Sequence, residues 1–255
     1  MKRWVSLVLI FGLVLWGFAA VIEDLPKLLT GVPYAWEYVC GMVPPDWSVL
    51  PSLIEPLGET LRMAILSIAI SSAVALGVSF LAAKNTSPYL VTYILARGFI
   101  NGLRAMPTLL WALLFVSLVG LGPLAGVFGL VCHCVGTLGK YFSEAIEVVG
   151  AKIVDVAEAM RLDGAEEWQM IRYGLLPEVA PLFSGYILYY FEWCVRVGTM
   201  LGLVGAGGLG LRLTMSIRLF RRQETLAIVI VILVMVGAVD LFSRTVRAML
   251  LSAEG

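Results

Sequence analysis

Residues 105–139 read AMPTLLWALLFVSLVGLGPLAGVFGLVCHCVGTLG, thirty-five positions without one Asp, Glu, Lys or Arg. As a single α-helix this stretch would be about 52 Å long, whereas a bilayer core is about 30 Å thick. Gly120-Leu121-Gly122-Pro123 divides it, because Gly and Pro are the strongest local breakers of regular structure. The reading is two membrane spans meeting at an outer turn near Gly122, the first beginning near Arg97 and running through Pro107.

Working outward, Met63 to Ala83 is a further apolar run, ending at Lys84-Asn85. Trp4 to Ile22 follows Lys2 and Arg3 and carries no charge. Its length, and Glu23-Asp24 in place of a small-residue cleavage site, favour an uncleaved first span over a secretory signal peptide. Val179 to about Met200 is apolar apart from Glu192 and Arg196, and Thr225 to about Phe242 is the last span. The fold class is therefore all-α and polytopic, with about six transmembrane helices. Residues 1–56 form a first helix and outer segment, and residues 57–255 a core interrupted by a polar loop at 141–177.

The composition agrees. Hydrophobic residues make up 60% of the 255 and charged residues 14%, against about 45–50% and about 25% in soluble domains. Eighteen basic residues balance eighteen acidic ones, which excludes nucleic-acid binding driven by overall charge and an acidic disordered chain. Placement says more than the sum. With the N-terminus in the cytoplasm, inner segments hold Lys2, Arg3, Lys84, Arg97, Lys140, Lys152, Arg161, Arg172, Arg244 and Arg247. Outer segments hold only Lys27, Arg212, Arg218, Arg221 and Arg222. This bias puts both termini inside.

Two motif matches carry no chemistry. Cys132-His133-Cys134 contains the only histidine, but adjacent helix positions do not converge on one metal, and no second ligand cluster exists. Cys40 and Cys194 stand far from it, so no disulfide framework is present. Gly205 to Gly210 fits G-x-G-x-x-G, yet a span precedes it and the next acids are Glu224 and Asp240, wrong for a dinucleotide site. The chain has no Walker A sequence and no convergent catalytic set, so no catalytic residue, metal or cofactor is assigned to it.

The polar loop is more informative. Val154, Ala157, Met160 and Arg161 fall at helical spacing, predicting a short amphipathic helix over Ile153 to Leu162 that Asp163-Gly164 ends or turns. A second short helix is predicted from Ala165 to Tyr173, stopping before Pro177. Two short inner helices tied to spans make a lever that another protein can push; a solvated connection is the other reading.

Within this loop Glu158, Ala159, Gly164, Leu176 and Pro177 stand at the spacing of the EAA motif, with Met160 and Gly174 as departures. Downstream, Arg172 to Glu178, Phe191-Glu192 with Arg196, Leu201 to Gly210 and Arg218-Leu219-Phe220 extend the likeness over roughly the last hundred residues; Ile100 to Ala112 shares it more loosely. The chain resembles the permease subunits of ABC type I importers, and among them the phosphonate type. The resemblance implies a homodimer, a cytoplasmic ABC ATPase dimer holding ATP and Mg, and a periplasmic or lipid-anchored substrate-binding protein. It further implies a small phosphorus oxyanion as substrate, coupling through Glu158, Ala159, Gly164, Leu176 and Pro177, and location in a bacterial inner membrane. An ATPase-independent secondary transporter or channel is the rival, and a membrane-bound enzyme a third class.

Three further groups each admit two readings. Glu192 and Arg196, four apart inside a span, either pair to fix helix packing or line the translocation path. Gly205, Gly207, Gly208 and Gly210 either permit a gate or substrate-facing bend that presents backbone N–H groups to an anion, or only allow close helix packing. Arg212, Arg218, Arg221 and Arg222 either steer anions and dock the binding protein, or contact lipid headgroups. Ser67, Ser71, Ser72 and Ser79 are expected to pack between helices rather than to bind the oxyanion.

Overall fold

The computed structural model describes residues 2–22, 25–152, 160 and 166–252. Among them the chain is helical, in the order α1 (Lys2–Ile22), α2 (Leu25–Cys40), α3 (Leu50–Ala82), α4 (Leu90–Ala105), α5 (Thr108–Val119), α6 (Pro123–Lys152), α7 (Leu176–Leu201), α8 (Gly208–Arg218) and α9 (Arg222–Ser252). The all-α, polytopic expectation holds. Four helical stretches, 47–82, 123–152, 170–204 and 222–249, are long and apolar enough to cross a membrane, and α4 with α5 makes a fifth if counted as one span. The sixth expected span corresponds to α1, whose described side chains are all exposed.

A 3₁₀ turn over Trp47–Val49 leads into α3 and is capped by Asp46, which accepts the Ser48 N–H at 2.9 Å and the Ser48 hydroxyl at 2.6 Å. These bonds hold the Asp46 carboxyl below the usual carboxylate range. Over its 33 residues α3 buries Thr60, Ala64, Ser67, Ser71, Ala75, Ser79 and Ala82. These three- and four-residue spacings form one stripe. Small side chains let two backbones approach in a lipid medium, where apolar burial alone does not drive helix association. α6 is the neighbour: the Ser67 and Ser71 hydroxyls donate to the Val127 and Val131 carbonyls at 3.3 and 3.4 Å. The packing expectation for Ser67 and Ser71 is met.

The opposite side of α6 receives the third span, and here the sequence reading needs correction. That span is not one helix through Pro107: α4 and α5 meet at 87°. Met106 is extended, with φ −95° and ψ 131°, because a residue preceding proline is pushed out of the helical region. The Trp111 indole N–H donates to the Leu103 carbonyl at 3.1 Å across the bend, supplying a partner that the broken backbone ladder does not. Gly129 and Gly136 of α6 are seated against Ala112 of α5 and Arg104 of α4.

Two further boundaries differ. The polar loop taken to begin at residue 141 starts inside α6, which continues to Lys152 and buries Phe142, Ala145, Ile146 and Val149. One apolar face therefore persists through a stretch whose exposed face is charged. Beyond it, the helix predicted over Ala165 to Tyr173 does not stop before Pro177. A short helical turn at Glu167–Gln169 passes into a π-helical turn at Met170–Leu175 and then directly into α7. The Leu176 N–H reaches back five residues to the Ile171 carbonyl. This wider turn shifts the register just before Pro177, which has no N–H and sits in the first turn of α7. The helix predicted over Ile153 to Leu162 lies, apart from Met160, outside the described residues.

The core lies where α3, α6, α7 and α9 converge, with Leu130, Leu138, Phe142, Val179, Val195 and Ile228 buried. Phe142 and Phe183 meet at 4.3 Å between ring centroids. At one end of the bundle, the glycine end, the Gly122 N–H donates to the Gly205 carbonyl at 3.0 Å. At the other, the lysine end, Glu147 of α6 accepts the Lys84 N–H and the Arg97 guanidinium, each at 2.8 Å.

Candidate translocation and coupling elements

The glycine run closes on itself. After α7 the chain makes a 3₁₀ turn over Gly202–Val204, and Gly205, Gly207 and Gly208 take φ of +85°, +82° and +68°. Only glycine enters this region freely, so the sharp turn into α8 depends on them. Gly202 and Gly210 then pack with no room for a side chain on either. The start of α8 is not open to an anion. The Gly208 N–H donates to Glu59 Oε2 at 2.6 Å, and the Leu209 N–H donates to Thr60 Oγ1 at 3.0 Å. A carboxylate at a helix N-terminus satisfies unpaired N–H groups and the positive end of the helix dipole. The sequence reading offered those N–H groups to a substrate; α3 already fills the position. Glu59 and Thr60 escaped notice because their partners lie 149 residues away.

Glu192 and Arg196 are joined by a hydrogen-bonded ion pair. The Glu192 side chain is 13% exposed and that of Arg196 50%. A pair so placed neutralises a largely covered acid while leaving the guanidinium facing outward from α7. Pro181, Gly185, Tyr189, Glu192 and Arg196 share that face by helical spacing.

The four arginines do not form one cluster. Arg212 donates to the Ser52 hydroxyl at 3.1 Å. Arg221 pairs with Glu224 at 3.2 Å, and the Arg222 guanidinium lies 5.0 Å above the Tyr38 ring. Arg218 is exposed near the end of α8. Arg212 and Arg222 thus tie α8 to α3 and α9 to α2, while Arg221 pairs locally at the start of α9.

Of the coupling residues, Glu158, Ala159 and Gly164 lie outside the described residues. Leu176 and Pro177 are exposed at the lysine end, beside exposed Trp168 and Tyr173. Arg97 also donates to the Ala82 carbonyl at 2.8 Å, and Asn85 donates to the Ile146 carbonyl at 3.0 Å. Together with Glu147 they clamp α3, α4 and α6 near the end of α6, just before the segment that holds Glu158. Sequence reasoning scored Arg97 as an inside charge and missed its role; Glu147 carried no signal beyond polarity.

His133 stacks on Trp193 at 4.8 Å, while Cys134 Sγ lies 3.4 Å from Cys194 Sγ. The Cys-His-Cys triplet is thereby divided between different neighbours. Among the described residues no group of three His, Cys, Asp or Glu side chains is gathered for a metal.

Comparison with known proteins places this architecture. The model of the family described as binding-protein-dependent transport system inner membrane component matches residues 75–252. The phosphite transport system permease protein PtxC of Stutzerimonas stutzeri is 41% identical over 240 residues, covering 94% of this chain and 86% of the relative. The putative phosphite transport system permease protein HtxC of the same organism is 38% identical over 231 residues, covering 91% and 81%. Among solved structures, the inward-facing MetNI methionine ABC transporter matches with a TM-score of 0.68 at 19% identity, covering 80% of this chain and 99% of that one. That likeness is one of fold. The chain belongs to the family of binding-protein-dependent transport system inner membrane components, and is a multi-pass ABC permease subunit rather than an enzyme.

Proposed function

We propose that this permease carries a small phosphorus oxyanion, such as phosphite or a phosphonate, inward across a bacterial inner membrane. The observation that carries the proposal is the 41% identity to a phosphite permease over 94% of the chain. The working unit is a homodimer with an ATPase dimer on the lysine end and a periplasmic or lipid-anchored binding protein on the glycine end. Both chain termini lie in the cytoplasm. ATP and Mg are held by the ATPase, and this chain supplies alternating access.

A division of labour among the elements goes with this reading. The segment around Glu158, Ala159 and Gly164, with Leu176 and Pro177, receives the push of the ATPase. The Arg97–Glu147 clamp keeps the α6 side of that segment attached to α3 and α4. The unbroken helical path from Glu167 through Leu201 carries the displacement along α7, where Glu192 and Arg196 stand. Gly205, Gly207, Gly208 and Gly210 form the bend at its outer end. Arg212, Arg218, Arg221 and Arg222 present a basic outer rim to the binding protein and its anion.

The test is reconstitution of the permease with its ATPase and binding protein in vesicles. ATP-dependent uptake of phosphite, methylphosphonate or phosphate is expected, and substitution of Glu158 or Gly164 should leave ATP hydrolysis without matching uptake. Uptake that persists without any ATPase would instead identify a secondary transporter.

A further inference from the structure

Toward the lysine end, α6, α7 and α9 line an open cleft of about 560 Å³. Pro181, Gly185, Tyr186 and Tyr189 of α7, Tyr141 of α6 and Arg247 of α9 line it. The cleft lies in the second half of α6, the first half of α7 and the last turns of α9, which puts it nearer the coupling segment than the glycine bend. Gly185 has open space where a side chain would stand, so its lack of one leaves room in the cleft. Tyr141 and Tyr186 stack at 5.3 Å, so those two lining rings brace one another.

The charge in this cleft is unusual. Arg247 Nε is buried and has no hydrogen-bond partner among the described residues. The nearest acid on its own helix face, Asp240, is held by Arg244 at 2.9 Å. Glu192, farther along α7, is taken by Arg196. A half-buried guanidinium whose Nε faces a mostly apolar cleft without a partner is poorly compensated unless something else supplies an acceptor to it. Guanidinium is also the side chain best matched to phosphorus oxyanions, since its N–H groups donate to two oxygens at once. Phenolic hydroxyls donate as well and hold an apolar body against the membrane.

The cleft continues a path. Pro181, Gly185 and Tyr189 lie on the α7 face that carries Glu192 and Arg196, so a guanidinium stands at each end of a run about 15 residues long, roughly 22 Å of helix. At about 30 Å³ per water, the cleft has room for a small oxyanion with part of its hydration shell. From this geometry we infer an inner binding station for a phosphorus oxyanion, with Arg247 as the charged contact and Tyr189 as a hydroxyl donor, occupied after the anion passes Arg196. The inference rests on the transport reading above and names a site within it. A phosphate group is the shared chemistry of two sources, the transported anion and an anionic lipid headgroup, and the transported anion is the occupant inferred here.

The experiment uses the complete transporter in proteoliposomes with its binding protein, and phosphite and methylphosphonate as probes. R247Q should lower initial uptake by about tenfold, the effect of losing one charge-assisted hydrogen bond, while binding-protein-stimulated ATP hydrolysis stays within about twofold. Y189F should lower uptake by a smaller factor with hydrolysis likewise retained, and it keeps the test open if R247Q does not assemble. Equal loss of uptake and hydrolysis in Y189F, or unchanged uptake in both variants, overturns the site. Vesicles of phosphatidylcholine alone are compared with vesicles also containing phosphatidylglycerol. A deficit confined to the latter assigns Arg247 to a lipid headgroup and overturns the site. A wild-type complex that hydrolyses ATP but moves no phosphorus oxyanion overturns the transport reading, and the site with it.

Discussion

The Glu59 carboxylate accepts the Gly208 N–H at 2.6 Å, so an acid in the first half of α3 caps the helix that follows the glycine bend. Thr60, the next residue, accepts from Leu209 at 3.0 Å, and Arg212 farther along α8 donates to Ser52. α8 is thus fastened to α3 at both ends of its first turns. Replacing Glu59 by Gln removes the charge but keeps a carbonyl acceptor; replacing it by Ala leaves the N–H unpaired. E59Q should cost about 1 kcal/mol and E59A about 2 kcal/mol. Thermal unfolding of the purified permease should rank the midpoints wild type, E59Q, E59A. Equal midpoints would show that the cap contributes nothing.

Arg97 and Glu147 are each about one quarter to one third exposed, at 24% and 30%, and Glu147 also accepts a backbone N–H. Removing either partner leaves the other partly buried. R97A and E147A should each destabilise by about 1–3 kcal/mol, and the double variant by less than their sum. Additive losses in a thermal double-mutant cycle would exclude a direct interaction. If the segment after α6 couples to the ATPase as proposed, either variant should also raise ATP hydrolysed per molecule of substrate transported.

The bend at Met106–Pro107 keeps one of its freed carbonyls satisfied through Trp111. W111F preserves most of the ring and deletes the donor to Leu103. It should lower stability by about 1 kcal/mol, read as an earlier thermal midpoint. No shift would mean that the carbonyl finds another donor.

Glycines on α6 and elsewhere should separate sharply under substitution. A methyl group at Gly129 would stand 2.9 Å from the Ala112 backbone nitrogen, a contact that only a helix shift relieves. Gly77 and Gly237 have nothing within 4 Å of that position. G129A should therefore cost about 1–3 kcal/mol, whereas G77A and G237A should be neutral or stabilising by up to about 1 kcal/mol. Thermal midpoints of the three variants, measured side by side, check the ordering; a destabilised G77A would contradict it.

Long charge-free runs such as 105–139 and 225–239 determined the all-α membrane architecture, because only helices or closed barrels satisfy the backbone in lipid. The spacing from Glu158 to Pro177 pointed to an ABC permease. Hydropathy, however, reports only that a side chain avoids water, and lipid and protein neighbours satisfy that equally. It therefore could not distinguish the exposed α1 from the packed α6, nor find that α6 keeps a buried face to Lys152. Local chemistry gave a break at Gly120–Pro123 but understated Met106–Pro107, whose 87° bend depends on α6 receiving both arms. Polar partners were the least legible. Glu59 with Gly208, Arg97 with Glu147, Arg222 with Tyr38 and Arg247, whose Nε has no partner among the described residues, depend on which helices adjoin. That adjacency is set by packing of small residues across distant segments, and tertiary structure alone decided it.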